Sequence, residues 1–237
     1  MPEDAAKPER ISAQNSQYFI GNEDYSSRVS RIRTYRNIRS AIDESITGVN
    51  RLLDVGNGGV FDYSVELVPE VVGIDLFLDL ESQISTPRNV TLKSGNALSL
   101  PEDRQTYDGV LLALVLHHLT EESAGPMMDN VRRALAEAKR VLRPGGQLIV
   151  VESCVANWFY LLEKVLFRPL VLLSRTRVMR HPPTLQLPIH VLGQLVAEEF
   201  GSVKIKRIPV GATILQFGRK WPSLLTPARP WRLVATR

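Results

Sequence analysis

The chain has 237 residues, 44% hydrophobic and 23% charged, a balance that supports one α/β domain with a real core and excludes a disordered chain. Lys and Arg number 29 against 25 Asp and Glu, a net charge of +4, too mild for a uniformly basic nucleic-acid surface. The single cysteine, Cys154, excludes an internal disulfide and a cysteine-rich zinc site, and no metal is expected. The start, MPEDAAKPER, lacks the basic and apolar regions of a signal peptide. No run approaches the roughly 20 apolar residues of a bilayer span. A cytoplasmic location is the resulting expectation.

Residues 1–27 read as a polar N-terminal arm with scattered aromatics, and residues 28–237 as one domain. Over 28–46, Val29, Ile32, Tyr35, Ile38 and Ile42 share one side of a helix. Arg28, Arg31, Arg33, Arg36 and Arg39 fall mostly elsewhere, as on a solvated face. Strands and helices then alternate. Residues 51–55 form a short apolar strand ending in a glycine-rich turn, expected to open a helix. Residues 71–75 and 90–93 are the next strands. The apolar run 107–116 suits a central strand buried on both faces. Residues 121–142 read as a helix, with Thr120 as its N-cap and Pro144-Gly145-Gly146 as its stop. Residues 147–152 form the fifth strand. This order implies a parallel sheet covered on both faces.

The pattern changes over 156–182, an apolar and then basic insertion. Trp158, Leu161, Leu162, Val165 and Leu166 have helical spacing, and Pro169 is expected to break or kink the helix. A helix over 188–200 and strands over 203–208 and 231–236 complete the chain.

The segment LLDVGNGG, residues 52–59, joins a strand to a turn where glycines let the backbone approach a ligand closely. Asp75 ends the next strand, nineteen positions after Gly56, a spacing at which a carboxylate reaches the ribose of a bound nucleoside. A tight structural turn and a strand-end acid are the bland alternatives. The later segments VVGID, SGNA followed by LP, YDGV leading to LHHL, and LRPGGQL stand in order behind them.

Taken together these motifs, over about residues 52–152, resemble the class I S-adenosylmethionine-dependent methyltransferases, in their small-molecule branch. The resemblance implies a Rossmann-like, doubly wound and mostly parallel sheet with an antiparallel last strand, an N-terminal helix and a helical lid. It implies S-adenosylmethionine as cofactor. Asp54, Gly56, Asn57 and Gly58 would hold its methionine end. Asp75 would bind the ribose and Leu76 pack on the adenine. Asn96 and Ala97 would meet the adenine edge, and Ala113 and Leu114 would offer backbone groups. Two positions depart from the pattern: glycine falls at Gly59 where Val60 would carry it, and Asn96 replaces a common aspartate.

Methyl transfer needs alignment of an acceptor and sometimes a base. His118 is the candidate base, because imidazole titrates near neutrality and stands here at the end of the central strand. The competing reading makes His117 and His118 packing residues. The acceptor is expected to be a small molecule with an oxygen or nitrogen nucleophile, from biosynthetic or secondary metabolism. Tyr25, Trp158 and Phe159 are its candidate contacts, and residues 156–182 read as a lid or a core hairpin. Contact with a membrane surface ranks behind both, and no nucleic-acid partner is expected. The alternatives are a noncatalytic cofactor-binding module and a nicotinamide-dependent oxidoreductase, which shares the glycine turn and Asp75 but leaves the later motifs unexplained.

Overall fold

The computed structural model describes residues 33–76, 78, 86–119, 124–174, 184–210 and 228–237. The chain opens with helix α1 (Arg33–Ile46), followed by strands β1 (Arg51–Val55), β2 (Glu70–Asp75), β3 (Val90–Ser94) and β4 (Tyr107–Ala113). Helix α2 (Ala124–Val141), strand β5 (Leu142–Val155), helices α3 (Asn157–Ser174) and α4 (Ile189–Phe200), and strands β6 (Val203–Arg207) and β7 (Ala228–Thr236) complete the order. The seven strands form one sheet in the order β3-β2-β1-β4-β5-β7-β6. Strands β1 to β5 are mutually parallel, and β7 runs antiparallel between β5 and β6. The expected mostly parallel sheet with an antiparallel last strand is thus present.

Leu52, Leu53, Asp54 and Val55 of β1 are all buried, as a central strand covered on both faces requires. On one face Tyr35, Ile38, Ile42 and Ile46 of α1 pack with Leu52, Tyr63, Val68, Leu111, Ile149 and Val151. On the other, Met127, Val131, Leu135 and Ala138 of α2 meet Leu53, Val110, Leu112, Leu148 and Val150, with Leu192 and Val196 of α4. The arginines 28 and 31 lie outside the described residues, whereas Arg36 and Arg39 are exposed as expected.

Four expectations change. The glycine turn does not open a helix: residues 56–69 contain one 3-10 turn, Val65–Leu67. The Tyr63 hydroxyl bonds Asp54 and Val68 is buried, so this stretch is pinned across the sheet, and a helix so short has little stability of its own. The central strand ends at Ala113, because Leu114 takes a φ of 54° and Leu116–His118 curl into a 3-10 turn. Leu142 opens β5 rather than closing α2. It pairs with Tyr107 before a register shift, so Pro144-Gly145-Gly146 interrupts the ladder inside the strand. Finally, α3 runs through Pro169. The carbonyl that proline leaves without its helical donor belongs to Val165, the most exposed of the helix's large apolar residues at 76%, on the side of the helix open to solvent. Thr120, Glu121 and Glu122 are outside the described residues. No helix among the described residues is long and apolar enough to cross a membrane.

Candidate functional site

Parallel order brings the carboxyl ends of β1, β2, β3 and β4 to one edge of the sheet, and the expected cofactor residues stand there. The turn after β1 is bound to its neighbour: the Gly56 N–H donates to the Ile74 carbonyl (2.7 Å). The Gly58 N–H donates to the Asp75 carboxylate (2.8 Å). The Asn57 side chain accepts the Gly59 N–H (2.9 Å) and donates to Asp54 Oδ2 (3.1 Å). The Tyr63 hydroxyl donates to that same oxygen (3.0 Å). Gly56 is required sterically, since its φ is +81° and a Cβ would lie 2.2 Å from Val115 Cγ2.

Asp54 is 2% exposed. Burial pushes its carboxyl up to about 7, against the opposing bonds from Asn57 and Tyr63. Around the edge, the Gly95 N–H donates to the Asp75 carbonyl (3.0 Å), which brings the β3 end beside β2. Asn96 Oδ1 accepts the Leu98 N–H (2.9 Å), so this side chain shapes its own turn. Ala97 is partly buried against the core, and Leu76 is 48% exposed. Ala113 and Leu114 are also partly buried, with the Leu114 N–H on the Val151 carbonyl (2.7 Å).

A second cluster lies at the ends of β4 and β5. His117 Nδ1 is 2.7 Å from Glu152 Oε1. Glu152 is buried and also accepts the N–H groups of Leu116 (2.9 Å) and Ser153 (2.7 Å). His118 lies beside His117 with ring centroids 4.1 Å apart and the rings tilted by 41°, so both histidines stand at this end of the sheet. Above them Glu163 of α3 accepts the Gln186 N–H (3.3 Å), and Gln186 Nε2 donates to Ser153 Oγ (3.3 Å). Burial pushes the Glu163 carboxyl up to about 7, countered by the Gln186 bond and by His117. Cys154 is buried, and burial followed by the Glu152 charge raises its thiol well above the ordinary value, which leaves it a packing residue.

The expected acceptor contacts divide. Tyr25 lies outside the described residues. Trp158 is 64% exposed on the outer side of α3, while Phe159 is half-buried against its edge with centroids 5.5 Å apart. Tyr160, Glu163 and Phe167 face the sheet instead. Sequence reasoning missed Glu152, Tyr63, Glu163 and Gln186. Glu152 alone carried a signal, an acid in an otherwise apolar buried strand.

Residues 53–150 match the family model of a methyltransferase domain. Over these residues the chain resembles the S-adenosylmethionine-dependent methyltransferases. The chain is 31% identical over 125 residues to a demethylmenaquinone methyltransferase of Deinococcus radiodurans, covering 48% of this chain and 48% of the relative. It is 30% identical over 118 residues to a ubiquinone/menaquinone biosynthesis C-methyltransferase of Syntrophotalea carbinolica, covering 46% of each. The chain therefore spans about half the length of the curated relatives it matches. The solved 1,6-didemethyltoxoflavin-N1-methyltransferase of Burkholderia thailandensis, with bound 1,6-didemethyltoxoflavin and S-adenosylhomocysteine, shares the methyltransferase fold. It has a TM-score of 0.63 at 18% identity, over 100% of this chain and 93% of that one. The oxidoreductase reading gives way to this family match.

Proposed function

We propose that this protein transfers a methyl group from S-adenosylmethionine to a small acceptor whose attacking atom gives up a proton. The observation that carries the reading is the closed circuit Asp54–Asn57–Gly59 and Gly58–Asp75, which sets two carboxylates and a glycine turn at the edge where the family holds its cofactor. The residues fit that group. A carboxylate offers about four lone-pair sites, so Asp75 can hold Gly58 and still accept ribose hydroxyls. The exposed Leu76 offers an apolar face for adenine, and Asn96 with Ala97 would meet its edge. Gly56, Asn57, Gly58 and the buried Asp54 would hold the methionine end, with Ala113 and Leu114 contributing backbone groups. The turn's own N–H groups at Gly56, Gly58 and Gly59 are engaged within the protein, so no helix start offers free N–H groups here.

The cofactor supplies an activated methyl group. The chain's own residues align the acceptor and take its proton. His117 is the better base: with its Nδ1–H donated to Glu152, Nε2 is left as the proton acceptor and the ring is fixed in orientation. His118 lies beside it, with ring centroids 4.1 Å apart. A ring or heteroatom acceptor agrees with the quinone and toxoflavin methyltransferases among the relatives and neighbours. Calorimetric titration with S-adenosylhomocysteine and with NAD tests the cofactor. Binding of the first alone is expected, and binding of neither overturns the proposal. The reshaped turn favours one second reading, a binding module without turnover, distinguished by cofactor binding with no methyl transfer to any quinol, phenol or amine acceptor.

A further inference from the structure

Helix α3 is inverted relative to an ordinary surface helix. Its inner side carries Tyr160, Glu163 and Phe167, with the carboxylate in the middle. Its outer side exposes Trp158 (64%), Leu161 (61%), Leu162 (45%), Val165 (76%) and Leu166 (41%). These are five of the nine exposed large apolar residues among the described ones. Water-facing helices place such residues inside, and a clustered apolar face marks a contact surface.

The charge pattern identifies what it meets. From Lys164 to Ala197 the sequence contains no Asp or Glu, while Lys164, Arg168, Arg175, Arg177 and Arg180 fall in this run. The helix's one acid, Glu163, faces inward to the Gln186 N–H. Lys164 places its Nζ 5.5 Å from the Tyr160 ring centroid, at the border between the two sides of the helix. A second copy would bring the same acid-free, cationic stretch of sequence against itself. A negatively charged headgroup layer suits a stretch of sequence with cations and no acids, and offers a shallow apolar phase to the leucines. Trp158 stands at the end of the helix where an amphipathic ring suits the boundary.

We propose that α3 is an interfacial helix that seats the protein on an anionic lipid surface. It lies flat, since the helix is too short and too interrupted in apolar character to cross. The docked face lies on the opposite side of α3 from the Glu163–Gln186–Ser153 cluster, and the docking requires neither cofactor nor methyl transfer.

The test is flotation of the full chain with vesicles of phosphatidylcholine alone and of phosphatidylcholine mixed with phosphatidylglycerol. Binding to the mixed vesicles and not to the neutral ones is expected, with a blue shift of fluorescence that W158F removes. The double variant L161S/V165S, at two freely exposed positions, should lower the bound fraction about tenfold at an unchanged thermal midpoint. R175Q/R177Q/R180Q should lower it comparably, and serves if the serine variant does not fold. Failure to bind either vesicle overturns the proposal, as does wild-type binding by both variants. Concentration-dependent dimers that L161S/V165S abolishes, without vesicle binding, would replace it by self-association.

Discussion

Asp54→Asn isolates the cost of holding a carboxylate in the floor of the site. Both neighbours, Asn57 Nδ2 and Tyr63 OH, bond the same oxygen, Oδ2, so an asparagine with its carbonyl at that position keeps both bonds. What it removes is ionisation. Burial lifts the carboxyl from an ordinary 3.8 to about 7, which corresponds to about 4 kcal/mol. A raised folded value means that the native state binds the proton more tightly than the unfolded chain. Stability is therefore full below about pH 4 and falls as pH rises through 7, then levels. The asparagine lacks that fall. An unpaired amide N–H at the Oδ1 position costs about 1–3 kcal/mol, but at every pH alike. Urea unfolding of both proteins between pH 4.5 and 8 should show the variant gaining on the wild type by about 1.4 kcal/mol per pH unit toward 7. A constant difference between pH 5 and pH 8 would refute the reasoning.

Gly56→Ala should cost about 2–3 kcal/mol in chemical denaturation, from overpacking against Val115 and a positive φ. Adding Val115→Ala should recover the steric part alone. Asp75→Ala should weaken S-adenosylhomocysteine binding by about 1.5–3 kcal/mol in calorimetry; unchanged affinity of a folded variant removes Asp75 from the site. His117→Gln should lower turnover by roughly 10²–10⁴-fold with cofactor affinity retained, while His118→Gln stays active. The opposite ranking would return the base to His118.

The sheet was legible because its strands are short apolar runs bounded by turn residues. Leu52 to Val55 and Tyr107 to Ala113 show it most plainly. Asp75 was legible from its spacing behind the glycine turn. The missing helix after that turn was not, because the bond from Tyr63 to Asp54 that pins the stretch is tertiary and leaves no periodic trace. The acid at 152 was visible, but its partner was not. His117 and Glu152 meet because β4 and β5 pair with Ala113 opposite Val151, a register that sequence does not display. In α3 the helical spacing of Trp158, Leu161, Leu162, Val165 and Leu166 was correct. Their direction was not legible, since periodicity marks a stripe without saying which side meets the protein.

The first described helix has a consequence for the order of assembly. The apolar stripe of α1 is sealed by Leu111, Ile149, Val151 and Ile208, and its end is latched by Arg232. That guanidinium reaches the Ala41 carbonyl (3.1 Å), the Ser45 hydroxyl (3.0 Å) and Glu44 (2.8 Å). The first of these bonds spans 191 positions. At ribosomal speeds of about 5–20 residues per second the latch is made about 10–40 s after the helix it closes. Until then the nascent chain carries a naked greasy stripe and a row of unfinished strands. Substitutions at Arg232 or Glu44 remove a contact that closes only after every other strand has been synthesised.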